Sequence, residues 1–585
     1  MLIFDIETNG LKDYTKIHTM TIYDYFKKEY MTYDKDQVSM GIRRLQEADC
    51  ILGHNILGFD LPAIERLYPW FRRPDRCLDT LVLARVAYAD VYDIDVKLGE
   101  EKIPKKLWGS HSLEAYGYRL GVFKGDFGKE TDWTEWSEEM SSYCHQDVTV
   151  TVALYQKLIS KDVPDECLEL EHKVAEIIHR QTQHGFLFDN DKAQVLYAKL
   201  LQRKEELTGE LQKVFPPWQV RMPDFIPKKD NQARGYIAGV PVKKFKTVIF
   251  NPGSRDHIAY QLQNKFGWKP TEFTESSKPK IDEDVLLELP YPEAKPLIEY
   301  FIINKRLGQL GDGDKAWLKL VDKDGRIHGE VITNGAVTGR MTHHNPNIAQ
   351  VPAVKVPYGY ECRELFTVPK GYKLVGCDAS GLELRCLAHF MGDDAYTHEI
   401  LNGDIHTKNQ HAAGLATRAE AKRFIYAYLY GGGDALIGSL IGKGPKEGKK
   451  IKKRFLEQTP ALKSLRERVD KAAKRGYLKG LDGRHLKIRS PHAALNVLLQ
   501  SAGALVMKKA LTILDYNLKQ QGFTNKDYNF VANIHDEFQI EVKEEYAEYI
   551  GGQAVLAIRA AGDYFKFRCP LDGEWSMGNN WAETH

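Results

Sequence analysis

The 585-residue chain has only eight cysteines, and no two of them form a Cys-x-x-Cys pair. That scatter excludes a disulfide framework and a cysteine-rich zinc site, and it reads as buried thiols in a reducing compartment. No run of about eighteen apolar residues is present, and no basic-then-apolar leader precedes the first apolar stretch. The expectation is a cytoplasmic protein with no membrane segment. There is no internal repeat and no low-complexity tract, which excludes a solenoid or a disordered tail as the main architecture. Net charge is also nearly absent, at +2. A protein of this kind that handles nucleic acid must keep acidic and basic groups in separate places. Hydrophobic residues make up 43% of the chain and aromatics 11%, enough for sizeable cores. The length suggests roughly three to five domains.

Residues 1 to about 155 mix short apolar strands with helical segments, as an α/β domain does. A helical stretch follows from about Asp165 to Val214. The interval from Phe215 to Phe250 then carries Pro216, Pro217, Pro223, Pro227 and Pro241, with seven Lys or Arg against two Asp. It reads as an irregular basic loop. Helical patterning resumes near Ser254 and runs to about Leu320. Beyond it, strand-like KLVGCDAS (373–380) and FVANIHDEFQIEV (530–542) flank a largely helical middle.

The chain opens MLIFDIETNG. On a strand Leu2, Phe4 and Ile6 share one face, and Ile3, Asp5 and Glu7 the other. The two acids then stand roughly 6.5 to 7 Å apart, close enough for one cation to recruit both. Residues 54–60 read HNILGFD, an Asn-x-x-x-Phe-Asp pattern. Residues 143–147 read YCHQD, a Tyr-x-x-x-Asp leading into a helical run, so Tyr143 and Asp147 share a helix face. Asp5, Glu7, Asp60 and Asp147 are hard oxygen ligands suited to two divalent ions, and Tyr143 can orient a water. Each fragment alone has a plainer reading: Asp60 as a helix cap, Tyr143 as a core aromatic, Asp79 in CLDTL as a structural acid or a supporting one. Together, in this order, they resemble the proofreading 3′–5′ exonucleases of the DnaQ-like superfamily.

A second acidic constellation lies in the carboxyl-terminal half. KLVGCD delivers Asp378 to a strand end, and NFVANIHDEFQIEV reads as two strands joined by a tight turn carrying His535, Asp536 and Glu537. Carboxylates on neighbouring strand ends can hold two magnesium ions, one for a primer hydroxyl and one for a triphosphate. Between them, TRAEAKRFIYAYLYGGG spaces Arg418, Lys422, Tyr426 and Tyr430 at four-residue intervals. On a helix these form one face with about 6 Å of rise per interval, so Arg418 to Tyr426 covers roughly 12 Å, about the reach from a triphosphate to its sugar and base. Cations suit the phosphates and aromatic rings suit the sugar and base.

DASGLELR, RAEAKRFIYAYLYG and IHDE are similar to motifs A, B and C of family A DNA polymerases, the group of bacterial DNA polymerase I. GSHSLEAYGYRLG, FNPGSRDHI, NGAVTGRMTHHNPNIAQVP, LDGRHLKIRSPHAALNVLLQSAGAL and the ending MGNNWAETH resemble its phage T-seven-like replicative branch. The resemblance covers nearly the whole chain. It implies an α/β and α+β multidomain protein: an RNase H-like exonuclease domain (1–160), then a right-hand polymerase. That polymerase would comprise a thumb (161–330, with the basic loop 215–250), a first palm segment (331–410), fingers (411–480) and a second palm segment with motif C (481–585).

By the same resemblance, Asp378 and Asp536 bind two Mg2+ ions per active site (Mn2+ can substitute), with Ala379 offering its carbonyl and Glu537 supporting. Arg418, Lys422 and His406 contact the incoming deoxynucleoside triphosphate, and Tyr430 packs near the templating position. Glu383 matches a steric gate that crowds a 2′-hydroxyl. Tyr426 occupies a position where a tyrosyl hydroxyl replaces a missing sugar 3′-hydroxyl. Arg340, His492, Asn496 and Gln500 match positions that touch primer–template DNA from the minor groove, whose acceptors are nearly sequence-independent. The basic run KGPKEGKKIKKRF (443–455) falls on the fingers, where it reads equally as a phosphate-attracting edge or a solvated helix edge. Implied partners include a replicative helicase–primase and a single-stranded-DNA-binding protein in the host cytoplasm. In the phage branch a longer thumb insertion binds thioredoxin. Here the interval is short, so a thioredoxin-type processivity factor is not expected. A single-subunit RNA polymerase shares the two-Asp logic, but Glu383 and the amino-terminal acids argue against it. An exonuclease with a clamp-like second half is set aside by the Arg418–Lys422–Tyr426 face.

Overall fold

The computed structural model describes residues 1–123 and 132–585. The chain folds as two compact units, one built from 1–186, 328–350 and 368–585, the other from 187–327 and 351–367.

The first unit is built around two larger sheets. Strands β1 (Leu2–Thr8), β2 (Ile17–Asp24), β3 (Glu29–Asp34), β4 (Ile51–Gly53) and β5 (Cys77–Asp79) form a sheet in the order β3-β2-β1-β4-β5. β1 runs antiparallel to β2 and parallel to β4, so it lies at the centre. Leu2, Phe4 and Ile6 join one core cluster while Ile3 joins another beneath the helix Glu138–Leu158. Both faces are covered, and only Asp5 and Glu7 remain half-exposed on the strand.

The other sheet has four antiparallel strands, in the order Tyr528–Ile534, Glu537–Lys543, Tyr372–Ala379 and Gly573–Gly578. Against it pack the helices Asp165–His184 and Ala547–Tyr564, and on these lies the 27-residue helix Ala494–Gln520. This helix is long and apolar enough to cross a membrane by length and composition, yet 83% of its most apolar stretch is buried inside the fold. The largest core cluster runs from this sheet through the helices Leu382–Met391, Arg418–Leu429 and Pro445–Gln458. All eight cysteines carry free thiols, seven of them buried. The helix Asp165–His184 belongs to this unit: its Arg180 pairs with Asp515 at 2.7 Å.

The second unit is mainly helical, with Asn190–Val214, Arg255–Phe266 and Ala294–Leu307 as its longer helices. Arg203 joins the first to the third through Glu299, at 2.8 Å. The interval expected as an irregular loop is instead a two-stranded antiparallel ribbon, Trp218–Phe225 paired with Val242–Val248. Its base is closed by Phe215 against Phe250, ring centroids 4.6 Å apart. Pro223 is absorbed where the register shifts between Met222 and Phe225. The helical segment expected from Ser254 to Leu320 breaks after Gly267, which caps the helix Arg255–Phe266 in the left-handed region.

Candidate active sites

The amino-terminal acids converge from three pieces of chain. Asp5 and Glu7 stand on β1, and Cys144 of the helix Glu138–Leu158 lies beneath them. One donor atom from each of the three falls within 4.8 Å of the others. The Cys144 thiol donates to the Asp5 carbonyl at 3.3 Å. Asp60 opens the helix Asp60–Leu67 and accepts from the Ile6 amide at 3.2 Å, which ties it to the same strand. Burial, with Asp79 and Asp147 nearby, pushes the Asp60 carboxyl up to about 8. Asp147 is buried one helical turn after Tyr143 and lines the same cavity as Asp5. Tyr143 is half-buried, its ring 6.1 Å from Trp133.

The motif HNILGFD owes its form to a turn. Asn55 sits at φ 62°, and its carbonyl accepts from the amides of Gly58 and Phe59 at 3.0 Å. A Cβ on Gly58 would come within 2.5 Å of Asn55 Oδ1, so a larger residue there would displace the Asn55 side chain. Asp79 takes the structural alternative. Its carboxylate accepts from the amides of Asn55, Leu57 and Leu81 at 2.8–3.0 Å, holding the turn and capping the next helix.

At the second centre, Asp378 ends its strand directly opposite Glu537 on one side and Glu574 on the other. His535 adopts φ 55° in the tight turn between its two flanking strands, which places Asp536 at the tip. The Ala379 amide donates to the Asp536 carbonyl at 2.9 Å, so the two strand ends are locked together. Burial and the charges of Asp536, Glu537 and Glu574 push the Asp378 carboxyl up to about 7. Asp536 is raised as well, chiefly by burial. A group of carboxylates that resists ionising together is a donor set suited to divalent cations.

Glu537 behaves differently. Burial would raise it, but it is held below its ordinary value by His585, Gln539 and Trp581. Trp581 Nε1 and Gln539 Nε2 donate to its Oε1 at 2.8 and 2.6 Å, and His585 Nε2 lies 3.1 Å from the same oxygen. No sequence motif assigns a role to Trp581, His585 or Glu574. The ending MGNNWAETH was a signal of kinship only, and Glu574 follows from the strand register alone.

The helix Arg418–Leu429 begins with a capping box between Thr417 and Glu420. Arg418 Nε lies 2.6 Å from Asp404, which itself caps the helix Ile405–Ala413 carrying His406. Lys422 is exposed one turn on. Tyr426 follows, its ring centroid 6.3 Å from that of His406. Tyr430 lies just past the helix end, as its carboxyl-terminal cap. Its hydroxyl donates to the Glu383 carboxylate at 2.6 Å, and Arg340 Nη2 lies 3.5 Å from the same group. The structure therefore links Arg340, Glu383 and Tyr430. His492 precedes the helix Ala494–Gln520, on which Asn496 and Gln500 share one half-buried face.

Comparison with known proteins bears on both halves of the chain. Residues 239–583 match the model described as DNA polymerase family A, and residues 2–159 match the RNase_H superfamily. The chain is 39% identical to a DNA-directed DNA polymerase of Escherichia phage T7 and 40% identical to one of Enterobacteria phage T3, each over the whole of both chains. Those alignments span 705 positions, so the relatives carry stretches without a counterpart here. Among solved structures, the POL domain of Pol1 from M. smegmatis superposes with a TM-score of 0.74 at 17% identity, over 100% of this chain and 96% of that one. The family match takes in Asp378, Asp536 and the helix between them, and the chain belongs to DNA polymerase family A.

Proposed function

We propose that this chain extends a primer 3′ end on a DNA template with deoxynucleoside triphosphates, and removes mispaired ends with a 3′–5′ exonuclease. The observation that carries the reading is the locked pair of strand ends bearing Asp378 and Asp536, beside the helix that bears Arg418, Lys422 and Tyr426. Asp378, Asp536 and the Ala379 carbonyl would hold two Mg2+ ions. Asp5, Glu7, Asp60 and Asp147 would hold the exonuclease pair. Bound divalent cations supply an activated hydroxyl or water and neutralise charge on the phosphates.

The protein's own groups do the rest. Arg418, Lys422 and His406 bind the triphosphate, with Asp404 orienting the Arg418 guanidinium. Glu383, fixed by Tyr430 and Arg340, fills the space a 2′-hydroxyl would need. The Tyr426 hydroxyl serves the sugar edge, and Tyr430 packs at the templating position. Glu537 supports the primer end through the Trp581–His585 contacts. Arg340, His492, Asn496 and Gln500 follow the minor groove. Tyr143 orients the attacking water at the nuclease centre. Residues 1–160 act as exonuclease, 161–330 as thumb, 331–410 and 481–585 as palm, and 411–480 as fingers. The protein works with a helicase–primase and a single-stranded-DNA-binding protein in a host cytoplasm, without a thioredoxin-type factor.

The test is extension of a primed template with Mg2+. Wild type should copy the template, and Asp378→Asn should lose extension by at least about a thousandfold. Extension retained by that variant would refute the assignment of the polymerase centre.

A further inference from the structure

A cavity of about 800 Å³ opens beside Asp5 and Asp147. Part of its wall comes from the amino-terminal segment, including His54, Arg85, Tyr92 and His111. The rest comes from residues 332–337 and Arg489, inside the span that matches the polymerase family. All of these residues lie in the first unit.

The borrowed wall is firmly held. Asn334 Nδ2 donates to the Arg85 carbonyl at 3.1 Å, and its Oδ1 accepts from Arg484 Nη1 at 3.1 Å. Arg484 is buried and bonded to Asp482 and Glu171, and Glu171 also accepts from the buried Lys508 at 2.7 Å. At Gly335 a Cβ would collide with the Thr342 side chain, so the loop passes close against it.

Arg489 is held far more loosely. It follows the hairpin Tyr477–Lys479/His485–Lys487, and its Nε donates to Asp93 Oδ2 at 2.8 Å. The two side chains are 57% and 39% exposed. An exposed pair of this kind is worth about 0–1 kcal/mol. A phosphodiester oxygen can therefore take the guanidinium over, and Arg is the side chain best shaped for it. The strand that enters this cavity is polyanionic, while the groups that would cut it are carboxylates. A cation at the wall offsets that repulsion.

We propose that Arg489 binds a backbone phosphate of the single-stranded 3′ end in the exonuclease cavity, and that Asp93 parks the guanidinium when no strand is there. This rests on the nuclease reading of Asp5, Glu7, Asp60 and Asp147. It would make the nuclease depend on a side chain three residues ahead of His492, in the segment assigned to the primer.

The test is steady-state hydrolysis of a single-stranded oligonucleotide by the full chain. Arg489→Ala should raise KM about tenfold with kcat within about twofold. It should also flatten the dependence of log(kcat/KM) on log salt by about 0.7, the share of one single-strand phosphate. Arg489→Lys should recover most of the affinity. Asp93→Ala should lower KM, because it frees the guanidinium and removes a repelling carboxylate. Lys487→Ala removes the neighbouring contact to Asp90, 3.6 Å away, and lies outside the cavity wall. It should leave KM unchanged. If Asp93→Ala or Lys487→Ala raises KM as Arg489→Ala does, the pairs are only a structural latch and the proposal is overturned. An unchanged KM in Arg489→Ala overturns it too. The underlying nuclease reading fails by a different sign: hydrolysis surviving in Asp5→Ala/Glu7→Ala would remove that reading, and this proposal with it, whatever Arg489→Ala does.

Discussion

At the amino-terminal centre the acids arrive from a strand, a helix start and the middle of a long helix. At the second centre Asp378 and Asp536 stand on adjoining ends of one sheet. The two solutions manage charge in the same way. Each contains one carboxylate satisfied by donors: Asp79 by three backbone amides, and Glu537 by Trp581 and Gln539 with His585 alongside. Each also contains carboxylates pushed upward by burial and neighbouring acids, Asp60 to about 8 at the first and Asp378 to about 7, together with Asp536, at the second. The satisfied acid shapes the site, and the raised acid is left for a cation. The difference lies in how many elements must meet and not in distance along the chain, since the first set spans 5 to 147 and the second 378 to 536. Scattered acids need a whole α/β sheet to meet, whereas strand-end acids need one hairpin and one partner strand.

Substitutions confined to one centre should sharpen that contrast. Tyr426→Phe removes a hydroxyl beside Glu383 and Asp536. Discrimination against dideoxynucleotides should rise by about 10- to 100-fold, the worth of one buried hydrogen bond. Competitive chain-terminator incorporation measures it, and single-strand hydrolysis should be untouched. Equal discrimination by both proteins would remove the role given to Tyr426.

The pH dependence separates the centres next. A carboxyl whose folded value is raised favours its protonated form. The metal-free fold therefore gains stability at low pH and loses it as pH rises through about 7 at Asp378 and about 8 at Asp60. Cation binding needs the carboxylate and is weakened by that same proton. Between pH 8 and 7, the metal concentration for half-maximal hydrolysis should rise by about fivefold, and that for extension by only about twofold. Titration of both activities with Mg2+ at the two pH values checks this, and equal shifts would break the comparison.

His585→Ala withdraws one support from Glu537. Extension should fall about three- to tenfold, with hydrolysis unchanged. A matching loss of hydrolysis would mean general destabilisation instead. The smallest effect expected is that of thioredoxin on product length in a processivity assay, under about twofold, because the interval Trp218–Val248 is a single short ribbon. A large gain would overturn that independence.

Much of this was legible in the sequence because motif chemistry is local. The four-residue spacing of Arg418, Lys422 and Tyr426, the turn at His535 and the alternation of β1 all follow from backbone period. The interval 215–250 misled because its prolines and lysines outweigh a weak alternation, and only cross-strand pairing reveals a ribbon. Trp581 and His585 were silent because their partner Glu537 lies more than forty residues away. The same holds for Arg489, whose place in the nuclease cavity depends on a packing contact with Asp93, 396 residues earlier. Long-range side-chain meetings carry no periodic signal.

The most direct measurement is a reciprocal one, made on matched and mispaired primers with Mg2+. Asp378→Asn should lose extension and keep degradation. Asp5→Ala/Glu7→Ala should keep extension of matched ends, lose degradation by at least about a thousandfold, and stall at mispaired ones. If either variant loses both activities together, or the double variant still trims a mispaired end, then the chain does not carry two separate acid centres.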